Sequence, residues 1–257
     1  MEGDDRGTDV WGAKASDWVT HQEPQFLPLY EQAFQRAGVG PGLRHLDAGC
    51  GAGLAIVVSH DRGAEVSGFD PSPALLGVAR RRVPAADLRV GKIEAPPHPP
   101  GRFDVITMFN VAHDAEDEAM FAPLRGQGRP RARLVASSWG RPEDCDMAEL
   151  FAAIGTWSPA NPHAGPFGLG LPGRFEALLG AAGFSEAHGE EVTCPFRYAN
   201  LEQALLGLLS AAPFVAATRQ VGDDAVREML TEFMLRYRRP DGAVVLENTF
   251  RLVVATV

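Results

Sequence analysis

The chain has 257 residues, 45% of them apolar and 22% charged, which suits one large α/β domain or two small ones. A formal net charge of −9 argues against nucleic acid or an anionic membrane as partner, since either needs a sustained basic surface. No apolar run is long enough to cross a bilayer, and the acidic opening Met1–Arg6 reads as neither signal peptide nor transit sequence.

Residues 8–37 carry apolar side chains at helical spacing (Trp11, Trp18, Phe26, Leu29, Tyr30, Phe34), with Pro24 and Pro28 breaking the run into short pieces. Residues 43–47 read as a strand that runs into a turn with glycines at 49, 51 and 53. A helix over 53–61 ends at Gly63, a residue suited to terminate it. A second strand over 65–70 leads to Ser72 as N-cap and Pro73 at the first helical position, with Leu75, Val78 and Ala79 on one face. A third strand lies near 87–91, before a proline-rich loop. The apolar run Phe103–Asn110 and residues 134–139 give two more. Strands separated by helix-sized segments imply right-handed crossovers and a mostly parallel sheet.

Further on, residues 155–173 form a Gly/Pro-rich loop with Trp157, His163 and Phe167, and a helix follows over 173–182. Two strand-like segments, around 188–194 and 250–257, flank two helical stretches. Asn200 with Gln203 marks a capping box for the first stretch. On the second, Val226, Met229, Leu230, Phe233, Met234 and Tyr237 form an apolar stripe that reads as packing, with a substrate lid as the competing role.

The glycine turn carries the functional signal. Three glycines alternate after a strand ending in Asp47, and Asp70 closes the next strand seventeen residues after Gly53. Strand, Gly-rich turn, helix and acid-terminated strand make a nucleoside-binding half. Asp70 can accept from both ribose hydroxyls, and Phe69 and Leu75 offer apolar contact to a base. The spacing D-x-G-x-G-x-G differs from the dinucleotide pattern G-x-G-x-x-G. An acid beside the turn repels a phosphate but accepts from an ammonium group. A Gly-rich structural turn in another α/β protein is the plainer alternative. Cys50 has the small side chain such a turn accommodates.

This segment resembles the first motif of the class I S-adenosylmethionine (SAM)-dependent methyltransferases, with specific motifs over about residues 40–140 and the remainder alike only in layout. The resemblance implies a Rossmann-like three-layer sandwich whose mostly parallel seven-stranded sheet has an antiparallel last strand. It implies one domain over 1–257: a helical N-terminal cap (1–40), a SAM-binding core (41–140), and a substrate-side part (141–257) whose helical insert serves as a lid. SAM, and its product S-adenosyl-L-homocysteine (SAH), would meet Asp47, Gly49, Cys50, Gly51, Gly53, Asp70, Pro71 and Leu75. Gly51 marks the closest backbone approach, the Ile93 backbone and Glu94 lie at the adenine, and a carbonyl near Asn110 receives the methionine amino group. Trp18 and Gln22 either touch the ligand from the cap or simply cover the core.

Two departures stand out. The family's third-strand motif often reads Gly-Asp-x-Glu, with the Asp on the adenine amine, whereas this chain has Gly91-Lys92-Ile93-Glu94. A lysine cannot accept from that amine, so Lys92 points away or the contact passes to Glu94 or backbone. The family also shows a regular helix before the fifth strand, where this chain has prolines and glycines in Pro123–Arg133. These predict a shortened or broken helix and a solvated, poorly ordered loop for its four arginines.

Methyl transfer is an in-line displacement in which the protein mainly positions the acceptor, and a base is needed only for a protonated acceptor. His113, just past the fourth strand, is the candidate base, with pocket lining or helix capping as its competing role; His163 is second. Trp139, Phe167 and His163 are candidate substrate contacts. Asp114, Glu116, Asp117 and Glu118 read as the acidic first turn of a helix, and no metal is expected. Cys50, Cys145 and Cys194 form no C-x-x-C pair, which fits a reducing cytoplasm. The resemblance points to the ubiquinone/menaquinone-biosynthesis-like group. Trp139–Asp144 and Tyr237–Ala243 are similar to a bacterial subgroup of specialised metabolism. The expected activity is methylation of a small apolar or aromatic acceptor, at oxygen before nitrogen or carbon, by a monomer or homodimer. A SAM-binding cyclase-like enzyme that transfers no methyl group, or a degenerate binding subunit, is the alternative.

Overall fold

The computed structural model describes residues 10–111, 118–156 and 165–257. The N-terminal segment changes its winding at each proline. One α-helical turn (Ala15–Asp17) passes into a π-helix (Trp18–Gln22), then a 3-10 turn (Glu23–Phe26), then helix α1 (Leu27–Ala37). Pro24 and Pro28 sit in the first two positions of the last two pieces, where a missing N–H is harmless. The predicted breaks are therefore changes of pitch within one path.

The Rossmann-like core follows the sequence closely. Strand β1 (Arg44–Ala48) leads to α2 (Leu54–Asp61), β2 (Glu65–Asp70), α3 (Pro73–Arg82), β3 (Asp87–Val90) and β4 (Phe103–Phe109). Ser72 caps α3 as expected, its hydroxyl accepting from the Leu75 N–H at 3.3 Å. β4 is buried along its whole length, with Val105 and Phe109 in one core cluster and Ile106 and Met108 in the other. That alternation explains why it reads as a continuous apolar run.

The segment before the fifth strand corrects the expectation. Helix α4 is only Ala122–Arg125, and β5 begins at Gly128 and runs to Trp139. Gly128 pairs with Phe103 and Arg133 with Val105, so Pro130 is absorbed in an irregularity between them. Three of the four arginines are anchored to protein. Arg129 pairs with Asp104, Arg125 Nε donates to the Gly183 carbonyl at 2.8 Å, and Arg133 Nη1 donates to that of Ala37 at 3.0 Å.

Helix α5 (Met147–Ala153), α6 (Arg174–Ala181) and β6 (Ser185–Thr193) follow. The insert differs from expectation in holding three helices: α7 (Leu201–Ser210), α8 (Ala212–Val221) and α9 (Asp223–Leu235). A small two-stranded antiparallel sheet of β7 (Phe196–Tyr198) and β8 (Val244–Leu246) brackets them, and β9 (Thr249–Thr256) completes the main sheet. Asn200 caps α7, its side chain accepting from the Gln203 N–H at 2.9 Å.

Strand order in the seven-stranded sheet is β3-β2-β1-β4-β5-β9-β6, with only β9 antiparallel to its neighbours. Core clusters lie on both faces. The apolar stripe of α9 is packing, with Val226, Leu230, Phe233 and Met234 buried. No described helix is long and apolar enough to cross a membrane by itself; α7 and α8, which pass that test only as a pair, meet at 87°.

Candidate active site

β1 delivers the chain into the glycine turn at the C-terminal edge of the sheet. Gly49, Gly51 and Gly53 all have positive φ (+78°, +52° and +85°), but each answers to a different neighbour. A Cβ on Gly49 would meet Val111 at 2.5 Å and one on Gly53 would meet Ala79 at 2.7 Å. On Gly51 it would meet nothing within 4 Å. Of the three, only Gly51 faces open space.

Asp70 holds that turn from the end of β2. Its Oδ2 accepts the Gly51 N–H at 2.9 Å and its Oδ1 accepts the Ser72 N–H at 2.8 Å. Each oxygen keeps further acceptor capacity. Burial pushes the carboxyl above its usual range, while the two backbone bonds pull it back.

Three sequence-predicted residues do not border the cavity in front of this turn, and each has a physical reason. Asp47 is buried, with Oδ1 accepting the Thr107 hydroxyl at 2.6 Å, so its carboxylate braces β1 against β4. Gly53 is packed on Ala79. Phe167 is sealed behind Trp139 and Phe151, with ring centroids 5.9 and 5.7 Å away. His113, Asp114, Glu116, Asp117, Trp157 and His163 lie outside the described residues.

The other predicted residues converge on one cavity of about 800 Å³. Gly49, Cys50, Gly51, Asp70, Pro71 and Leu75 line one side; Ile93, Glu94 and Asn110 line the next strand ends. Trp18 and Gln22 close it from the N-terminal segment, and Trp139 lies beyond. Lys92 also borders the cavity and is exposed to solvent. Cys50 is no reactive thiol, because burial raises its pKa.

Past Asn110 the lining turns aromatic, and here the sequence missed most of the site. Phe26, Tyr30, Phe109, Phe151, Phe196 and Phe214 border the cavity. Tyr30 lies 4.7 Å from Phe109 between ring centroids, Phe26 lies 5.2 Å from Phe196, and Trp139 lies 5.1 Å from Phe151. Phe26 and Tyr30 stood out only as apolar helix positions; no local signal marked Phe196 or Phe214. Burial, with Glu23 and Asp47 nearby, raises the Tyr30 phenol well above its usual range, leaving a neutral hydroxyl. Among the described lining residues the charged ones are Glu23, Asp70, Lys92 and Glu94, all set around the glycine turn and the neighbouring strand ends.

Residues 46–128 match the family model for a methyltransferase domain. That stretch carries the likeness to the SAM-dependent methyltransferases. The chain is 31% identical over 150 residues to the ubiquinone biosynthesis O-methyltransferase of Azorhizobium caulinodans, covering 56% of this chain and 59% of that one. In the next two curated relatives the matched stretch is half of their length. Among solved structures, the Haemonchus contortus phosphoethanolamine N-methyltransferase 2 in complex with SAM aligns with a TM-score of 0.62 at 19% identity, over 98% of this chain and 58% of that one. The 4+2 cyclase SpnF aligns with a TM-score of 0.54 at 18% identity, over 87% and 80%.

The cradle fits SAM on its own geometry. Gly51 leaves room for a ligand against the backbone, Asp70 retains acceptor capacity for two hydroxyls, and Leu75 and Ile93 are apolar neighbours for a base.

Proposed function

We propose that the protein transfers the methyl group of SAM to a small apolar or aromatic metabolite, at oxygen before nitrogen or carbon, in bacterial specialised metabolism. The observation that carries this reading is the cavity's polarity. Its charged lining gathers at the cofactor end, and the far end is a chamber of aromatic rings. Such a chamber binds flat, uncharged molecules and leaves buried charge unsolvated. The likeness to a ubiquinone biosynthesis O-methyltransferase supports transfer to oxygen.

In this reading Asp70 holds the ribose, Leu75, Ile93 and Glu94 take the adenine, and the main chain at Asn110 receives the methionine amino group. Trp18 and Gln22 cover the ligand from the cap, and Gly49 to Gly51 form the cradle beneath it. When bound, SAM supplies a methyl group activated by its sulfonium. The protein's contribution is to hold the acceptor in line and exclude water, and the lining residues Phe109, Trp139, Phe151 and Phe214 serve both ends. Tyr30 offers a neutral donor to an acceptor oxygen. His113 follows the strand end that carries Phe109 and is the base for an acceptor that enters protonated, with His163 second. The protein works on a small molecule, without nucleic acid or membrane, in the cytoplasm, as a monomer or homodimer.

The aromatic chamber also suits a second reading, a SAM-binding enzyme that folds a substrate and cyclises it without methyl transfer. Incubation with SAM and a panel of phenols, catechols and hydroxyquinones, with SAH quantified by mass spectrometry, separates the two. Acceptor-dependent SAH supports methyl transfer. Binding of SAM with no SAH from any acceptor favours the second reading, and no binding of SAM or SAH defeats both.

A further inference from the structure

We propose that Glu23 is a positioning residue for the cofactor cradle, capping from a distance a helix whose own N-cap residue cannot do so. This rests on the SAM-binding reading above. Helix α2 starts at Leu54, directly after Gly53. A capping side chain at that position would have to start from a Cβ 2.7 Å from the Ala79 Cβ and 3.1 Å from its Cα, at a φ of +85°. The site therefore takes glycine, which has no side chain to accept a first-turn N–H.

Glu23 supplies the missing acceptor. Its Oε1 accepts the Leu54 N–H at 3.2 Å from a segment thirty-one residues upstream. A carboxylate there also complements the positive end of the helix. The other oxygen, Oε2, receives Arg82 Nη1 at 2.6 Å, and the same nitrogen donates to the Ala52 carbonyl at 2.8 Å. Glu23 is 4% exposed, so the arrangement is shielded from water. Both ends of the stretch Ala52–Leu54 are thereby fixed to one carboxylate–guanidinium pair, and that stretch follows directly on Gly51.

The residues beside Glu23 grip the opposite wall. Gln22 Oε1 accepts the Tyr198 hydroxyl at 2.7 Å, and Gln25 Oε1 accepts the Arg197 N–H at 2.7 Å. Both partners lie on β7, next to the lining residue Phe196. Within four residues the π-to-3-10 junction holds the acceptor wall and the cofactor turn together, at a type of helix irregularity often found at functional sites. A buried ion pair contributes little net stability against its own desolvation. Its larger effect here is on where the glycine turn sits.

The test is calorimetric titration of SAH into wild type, Glu23→Ala and Glu23→Gln, with hydrogen exchange of residues 52–58. Glu23→Ala is expected to weaken SAH about tenfold, the loss of one cap hydrogen bond with its charge. Exchange over 52–58 should speed up even with the chain fully folded. Glu23→Gln, whose amide oxygen still accepts from Leu54, should bind within about threefold of wild type. Should the alanine chain fail to fold, Glu23→Leu keeps the buried volume and carries the same expectation. Wild-type binding with unaltered affinity and exchange in the folded alanine or leucine variant overturns the role. Equal losses in glutamine and alanine variants assign the effect to the ion pair and overturn capping. A wild-type chain that binds no SAH overturns the SAM reading and this role with it.

Discussion

Thr107 donates its hydroxyl proton to Asp47 at 2.6 Å, and this bond, made between neighbouring strands, turns the acid before the glycine turn away from the ligand. The hydroxyl has one proton, so the 2.7 Å contact between Thr107 and His45 Nε2 requires the imidazole to carry its hydrogen on Nε2. Burial lowers the His45 pKa to about 3 and raises that of Asp47 to about 7. His45 is thus neutral throughout the working range, and the buried row His45–Thr107–Asp47 forms a brace behind the cradle.

The brace makes a signed prediction about pH. Asp47 has a folded pKa above its unfolded value, so its ionisation opposes folding as pH rises from about 4 to about 7. His45 has a folded pKa below its unfolded value, so stability is lost as pH falls from about 6.5 towards 3. Asp47→Asn keeps an oxygen acceptor for Thr107 and removes the first effect alone. Urea unfolding at pH 5 and pH 8 should show the variant gaining on wild type at the higher pH. A difference that is independent of pH, or that grows at pH 5, contradicts the assignment.

Asp70 is the opposite kind of acid. It holds Gly51 and Ser72 by their N–H groups and also borders the cavity. Asp70→Ala should therefore weaken SAH by about a hundredfold, from two lost charge-assisted bonds to the ribose and a loosened turn. Asp70→Asn keeps one acceptor oxygen and should fall between. Calorimetry on folded variants is the check, and an alanine variant that binds SAH like wild type refutes the ribose role.

The turn glycines separate affinity from stability. Alanine at Gly51 projects into open space and at Gly53 into Ala79, while both incur backbone strain of about 1 kcal/mol from positive φ. Gly51→Ala should keep most of the melting temperature and lose SAH affinity by tenfold or more, about the effect of a methyl group inside the ligand's volume. Gly53→Ala should lose melting temperature first. Reversal of that order would show that Gly51 does not face the ligand.

What could be read from the sequence was what repeats locally. The strand ends, the glycine spacing and Ser72 before Pro73 are each set by neighbours within a few residues, and the cradle from Gly49 to Leu75 followed from them. Asp47 misled because the pattern fixes its place in the chain, whereas its direction depends on Thr107, sixty residues on. Phe196 and Phe214 meet Trp139 and Phe151 only because β7 and α8 fold back over the sheet. Pro130 suggested disorder, but pairing with β4 and β9 accommodates it as a strand irregularity. Long-range contacts built the acceptor half, and they leave no periodic trace.

Lys92 provides the last test, since it stands where the resembling family often has an aspartate. It borders the cavity at the end of the third strand, and an ammonium group can offer an adenine amine no acceptor. Lys92→Asp should therefore tighten SAH by about threefold to tenfold, the range of one hydrogen bond of roughly 1 kcal/mol. Lys92→Ala removes the positive charge without adding an acceptor and should leave affinity near wild type. If both variants tighten binding equally, the lysine acts through its charge. If aspartate weakens binding while alanine does not, the adenine amine already has a partner in Glu94 or the main chain, and a second carboxylate only adds repulsion beside it.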